Sequence, residues 1–175
     1  EAVYEREHAP GFRWLHERFG TNWRMLEVQA VIGRIQLRRM PDWHAARLAN
    51  CERIWAAAKA LKGLRVPEVP QGVTHAGYKC YVFVDPVALP AGWNRDRILG
   101  EISARGVPCF SGSCSEVYLE KAFDGTGWRP AERLPVAREL GETSLMFLVH
   151  PTLTVAEIER TCAVLAEVMT AAVER

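Results

Sequence analysis

With 175 residues, 49% of them hydrophobic and 25% charged, and a formal net charge of +1, the chain is of the ordinary soluble globular kind and fits one domain with a real core. The near-neutral balance, with no basic run longer than Arg38-Arg39, gives no broad electrostatic footprint for nucleic acid or an anionic membrane. No stretch approaches the roughly 20 apolar residues of a membrane span, and the opening EAVYEREHAP lacks the basic-then-apolar order of a signal peptide, so a cytoplasmic protein is expected.

The first 22 residues interleave Tyr4, Phe12, Trp14 and Phe19 with charges and show neither helical nor strand periodicity. They read as a segment that packs on something else. With no initiator methionine in front of it, the segment raises the expectation of a preceding domain. From Trp23 to Met40 the pattern is helical, and Pro41 should break or kink it before a second helix from Trp43 to about Leu61, closed by Gly63. At about 100° per residue, Glu27, Arg34 and Arg38 share a narrow stripe, while Met25, Val28, Val31, Ile32, Ile35, Leu37 and Met40 cover most of the remaining girth. Such a helix should be buried on several sides. Gln29 and Gln36 sit within that apolar arc, where an unpaired buried amide costs about 1 to 3 kcal/mol, so both need partners in the core or across an interface.

After the Gly- and Pro-punctuated loop GLRVPEVPQGVTHAG, YKCYVFVD alternates and reads as a strand. Asn94 can cap a helix over Arg95 to Ala104, ended by Gly106, and a short strand follows at Val107 to Phe110. Ser113-x-x-Glu116 has the form of a capping box and predicts a short helix to about Ala122. PAERLPVARELG predicts another, interrupted by Pro135. TSLMFLV is a strand, and Thr154-x-x-Glu157 is a second capping box at the start of the last helix. A few strands separated by helices make an α+β domain with helices packed on one face of a small sheet.

Cys51, Cys80, Cys109, Cys114 and Cys162 are odd in number, scattered and without a CxxC, which argues for reduced core thiols rather than disulfides or zinc. The histidines form no ligand pair, and no metal site is expected. Ser111-Gly112-Ser113 opens a predicted helix whose free N–H groups favour an anion, although the spacing matches no phosphate-binding motif and by itself favours a simply capped helix. Cys114 has no histidine near it in sequence to complete a nucleophilic pair. At the mouth of the long helix, Asn22 and Arg24 serve either as cap and surface residue or as donors to a phosphate or carboxylate, and spacing alone favours the cap.

The stretch FGTNWRMLEVQAVIGRIQLRRMPDWHAARLANCERIW resembles the signature of the DegT/StrS family of pyridoxal-phosphate sugar aminotransferases. Asn22, Arg24, Met25, Glu27, Gln29, Ala30, Ile32, Gly33, Gln36 and Leu37 all match it. The strand after THAGY, then ISARGVPCFSG, EVYLEKAF, RPAERLPVAREL and HPTLTVAEIE, are similar to later segments of that family in the same order. The resemblance covers nearly the whole chain and implies the small C-terminal domain of a fold type I transferase, in which a large domain carries the cofactor on a lysine and a homodimer completes its sites. Under it, residues 1–22 are an extension on the missing large domain and 23–175 are the small domain. None of Lys59, Lys62, Lys79 and Lys121 matches the cofactor-lysine context, so the chain is expected to hold no catalytic residue of its own and to be inactive alone.

The activity implied for the full-length protein is transfer of an amino group, from an amino acid such as glutamate, to the keto group of a nucleotide-linked sugar. By the same resemblance Asn22 reaches the cofactor phosphate of the neighbouring subunit, and Arg24 lies near that shared site and touches substrate. GVPCFSGSCSEVY departs from the commoner family form, which has a His-Tyr pair after Gly-Ile, so sugar contacts are expected from Ser111, Ser113 or Tyr118. Two alternatives stand beside this reading: a sugar dehydratase of the same family, and a non-catalytic dimerisation or interaction module.

Overall fold

The computed structural model describes Phe19 and residues 25–173. Its first regular element is helix α1, Glu27–Lys59, 33 residues and so about 50 Å long at about 1.5 Å per residue. It starts without a side-chain N-cap. Gln29 reaches back instead, its Oε1 accepting from the amide of Leu26 at 2.7 Å. The break expected at Pro41 does not occur, and the predicted pair of helices is one. Proline removes a single N–H and crowds the preceding turn, and here it lies where the helix is open to solvent, so water can satisfy the carbonyl that loses its donor. The expected burial of the first half is also absent among the described residues: every residue from 31 to 42 is exposed, as is Gln29.

Only the second half of α1 joins the core, through Cys51, Ile54 and Ala58. Gly63, at φ +84°, turns the chain into β1, Leu64–Arg65. The strand read in YKCYVFVD is β2, Cys80–Val84, whose alternation buries Cys80, Val82 and Val84 and leaves Tyr81 and Phe83 half-buried on the opposite face. Helix α2, Arg95–Ala104, has the predicted bounds, with Asn94 Oδ1 accepting from the amide of Arg97 at 2.8 Å. Strand β3 is only Cys109–Phe110, since Pro108 cannot donate to a ladder.

No α-helix follows at 113–122. Two single 3-10 turns, Val117–Leu119 and Lys121–Phe123, take its place. The capping box fails because Glu116 is drawn into a buried ion pair rather than back to Ser113. Pro135 does not interrupt a helix but starts one, α3, Pro135–Thr143, where a missing N–H costs nothing. Strand β4, Ser144–Phe147, follows without a loop, and α4, Val155–Val173, closes the fold. Its capping box is formed: the amide of Thr154 donates to Glu157 Oε2 at 2.7 Å and the amide of Glu157 to Thr154 Oγ1 at 3.3 Å.

The four strands form one antiparallel sheet in the order β1-β2-β4-β3, with Val82 opposite Leu145 and Cys109 opposite Phe147. One face carries the core, in which Cys51 and Ile54 of α1, Ile98 and Ile102 of α2, and Ile158, Leu165 and Met169 of α4 pack with Val82, Leu145 and Phe147. This is the expected α+β arrangement. Cys51, Cys80 and Cys109 are buried thiols, and none of the five cysteines is in a disulfide. On the second face Tyr81 and Phe83 stack with ring centroids 6.3 Å apart, and the Arg65 guanidinium lies 4.5 Å from the Phe83 centroid while it pairs with Glu139 of α3 at 2.6 Å.

Candidate functional site

Between β3 and α3 the chain crosses the end of the sheet as an irregular loop, and its fixed point is Glu116. This carboxylate is 3% exposed, a position tolerated only when its oxygens are paired. Arg133 grips it through two nitrogens, Nε at 2.8 Å from Oε1 and Nη2 on Oε2, while Tyr118 donates its hydroxyl to Oε1 at 2.7 Å. The Tyr118 oxygen in turn accepts from the amide of Leu134 at 2.9 Å. Arg129 ties the loop from outside, donating to the Tyr118 carbonyl at 2.9 Å and to Asp124 at 2.6 Å.

The Arg133 guanidinium holds the Glu116 carboxyl below the ordinary carboxylate range, with burial opposing and the Tyr118 hydrogen bond assisting. Glu116 raises Arg133 in return. Tyr118 is raised first by its burial and then by its hydrogen bond to Glu116. Glu116 is therefore ionised, and Tyr118 a neutral donor, at neutral pH.

Beside this pair lies a cavity of about 330 Å³ whose walls include Ser111, Ser113, Glu116, Arg133 and Glu142. Arg138 holds Glu142 at 2.9 Å. Hydroxyls facing carboxylates that are already oriented make a lining suited to a ligand rich in hydroxyl groups. Cys114 also borders the cavity, and no histidine lines it among the described residues, so the geometry offers no thiol and base pair.

Ser113 belongs to a second, shallower depression of about 290 Å³, shared with His75, Tyr78, Lys79 and Tyr81. Gly112 makes this junction. It has φ +85°, and a Cβ there would stand 2.4 Å from Cε1 of Tyr81, so only glycine lets the Ser113 amide approach the Tyr81 hydroxyl, which it reaches at 3.2 Å.

Of the residues singled out by sequence, Ser111 and Ser113 come together in the first cavity. Tyr118 does not line it; its hydroxyl is engaged on both sides and orients Glu116 from behind. Asn22 and Arg24 lie outside the described residues. Glu116, Arg133, Lys79 and Tyr81 carry most of the geometry, yet Glu116 was read only as half of a capping box, Lys79 only as a lysine outside the cofactor context, and Arg133 and Tyr81 were not singled out. For Tyr81 there was a signal, the polar-tipped residue on the non-core phase of an alternating strand. For the Glu116 and Arg133 partnership, 17 residues apart, there was none.

The small antiparallel sheet with helices on one face superposes on parts of solved aminotransferases. The X-ray structure of the aminotransferase from Psychrobacter cryohalolentis superposes with a TM-score of 0.79 at 60% identity, covering 99% of this chain and 46% of that one. The match to the DegT/DnrJ/EryC1/StrS aminotransferase family model runs over residues 5–166, and the chain belongs to that family. It is 26% identical over 149 residues to the erythromycin biosynthesis sensory transduction protein EryC1 of Saccharopolyspora erythraea, covering 85% of this chain and 38% of the relative. It is 24% identical over 148 residues to the dTDP-3-amino-3,4,6-trideoxy-alpha-D-glucose transaminase of Streptomyces venezuelae, covering 85% of this chain and 37% of the relative. The chain thus spans less than half the length of the relatives it matches.

The family implies pyridoxal phosphate, and the described residues do not fit it by themselves. No lysine lines the larger cavity, its two carboxylates are held by Arg133 and Arg138, and the Lys79 ammonium rests on Ser113 Oγ at 3.2 Å. Among the described residues no helix is long and apolar enough to cross a membrane.

Proposed function

We propose that this chain is the C-terminal small domain, residues 23–175, of a pyridoxal-phosphate aminotransferase that moves an amino group from an amino acid such as glutamate to a keto sugar carried on a nucleotide. The observation that supports it most is the family match over residues 5–166 together with 60% identity to an aminotransferase along nearly the whole chain. In this reading the cofactor is held mainly by another domain, which supplies the lysine and the proton transfers made through it. Residues 1–22 lie on that domain. The exposed half of α1 packs between it and a second subunit of a cytoplasmic homodimer.

The small domain's own work is recognition. Ser111 and Ser113 meet hydroxyls of the substrate, with Glu116 and Glu142 as acceptors, and Tyr118 holds Glu116 in place. Asn22 gives its amide to the cofactor phosphate of the neighbouring subunit, and Arg24 faces substrate at the same junction. The 175 residues alone are inactive. The test is Asn22→Ala in the full-length dimer: loss of one hydrogen bond to a charged group, about 1.5 to 3 kcal/mol, lowers cofactor affinity at least tenfold while the fold holds. Unchanged cofactor affinity with a lowered melting temperature would return Asn22 to the role of a helix cap.

A further inference from the structure

The serine loop leaves β3 at Ser111, and a chain of buried contacts that begins in α2 holds it there. Arg95, the first residue of α2, is 4% exposed although it carries a charge that needs partners once it leaves water. Its Nε donates to Asp96 Oδ1 at 2.7 Å, and its Nη1 donates to the carbonyl of Ser144 at 2.9 Å. Ser144 is buried too, and its hydroxyl donates to the carbonyl of Ser111 at 2.7 Å. The Arg95 charge also reaches β3: burial pushes the Cys109 thiol up to about 12, and the guanidinium works against that rise. One side chain thus acts on both strands from which the walls of the cavity depart.

Ser144 is the point where those walls meet. Thr143 ends α3 and Ser144 begins β4 with no residue between them, so the place of Ser144 sets where Glu142 stands on one wall. Its hydroxyl bond to Ser111 sets where the other wall, residues 111–116, begins. The walls also come close at Gly141, where a Cβ would stand 2.2 Å from Ser115 Oγ. An apolar side chain of similar volume could fill the space of Arg95 at no greater cost than a desolvated guanidinium. It could not hold the Ser144 carbonyl in one place, which a planar fork of donors can.

We propose that Arg95 is a positioning residue: through Ser144 it fixes Ser111, and so the separation of the serine loop from α3 and the width of the cavity between them. The relay from Arg95 to Ser111 stands on its own geometry. That the cavity receives a hydroxylated substrate rests on the function proposed above.

The relay is read by amide hydrogen exchange in the 175-residue chain. The Ser113 amide, which donates to the Tyr81 hydroxyl at 3.2 Å, reports the loop. The amides of Arg97 and Glu157, held by Asn94 and Thr154, report general loosening. Arg95→Met and Ser144→Ala each speed exchange at Ser113 about tenfold, the loss of one hydrogen bond, and leave the other two amides at their parent rates. The double variant is no faster than the faster single one, because both changes cut the same chain of contacts. Arg95→Lys, which keeps a charge and a donor, recovers most of the protection. In the full-length protein Ser144→Ala and Arg95→Met raise the KM for the keto-sugar substrate about tenfold and leave kcat and the KM for the amino donor within about twofold of the parent.

Exchange at Ser113 that stays at the parent rate in both variants, or that rises only in step with Arg97 and Glu157, would make Arg95 a core residue with no hold on the loop. Ser144→Ala keeps the Arg95 contacts and decides the matter if Arg95→Met does not fold. Equal changes in KM for both substrates would overturn the link from the relay to substrate. A full-length protein that transfers no amino group would refute the function proposed above, and the exchange rates would then judge the relay by themselves.

Discussion

The two halves of α1 are both rich in apolar residues and have opposite surroundings. Between Met25 and Met40 seven large apolar side chains and Leu26 are exposed, Met25 by 74%; beyond Asn50, Cys51, Ile54 and Ala58 are sealed at 0%. A helix gains most of its stability from what it packs against, and the first half packs on nothing among the described residues, leaving a large apolar surface open. The contrast teaches that one helix can serve two bodies: its second half belongs to this domain's core, and its first half, exposed here, is the surface we propose as an interface. The same division recurs at the candidate site, where Glu116 is 3% exposed and its partner Arg133 is 42% exposed.

The largest expected effect is in the sealed half. Ile54→Ala removes a fully buried side chain from the layer between α1 and the sheet, and a loss of about 2 to 5 kcal/mol is expected in urea denaturation of the chain. The matching change in the open half, Ile32→Ala, should alter the stability of the monomer by less than about 0.5 kcal/mol. Equal losses at the two positions would erase the contrast.

A smaller effect sharpens it at the ion pair. Arg133→Met strands a buried carboxylate, whereas Glu116→Gln leaves a guanidinium that water can reach, so the first change is the more destabilising at neutral pH. The pH dependence carries a definite sign. Because Arg133 lowers the folded-state pKa of Glu116, the pair's contribution is fully present above the unfolded value of about 4.3 and is lost as pH falls through the lower folded value. The stability gap between the parent and Arg133→Met therefore narrows on acidification. A gap that widens toward acid would show that Glu116 is not held ionised by Arg133.

Much of the core was legible from the sequence because it rests on local rules. Alternation placed β2, Asn94 and Gly106 bounded α2, and Thr154 with Glu157 opened α4. Elements governed by long-range partners were not legible. Ser113-x-x-Glu116 has the spacing of a capping box, but a guanidinium that arrives 17 residues later outcompetes a helix N-terminus for the same carboxylate. Pro41 signals a break, yet a proline in a solvated stretch of a helix removes one hydrogen bond and need not end it. The serine loop was visible as polar residues around a glycine. Its connection to Lys79 and Tyr81 depends on Gly112 allowing an approach across 32 residues, and no local pattern carries that.

The claim that the first half of α1 is an interface is tested most directly by sedimentation of the 175-residue chain at micromolar concentration. The exposed apolar girth predicts concentration-dependent self-association, weakened by Ile32→Lys or Val28→Lys on whichever face the contact uses, while the mutant monomer keeps its helical circular dichroism. A parent chain that sediments as a clean monomer, with no dependence on concentration, would contradict the account of α1 as a helix shared between two bodies.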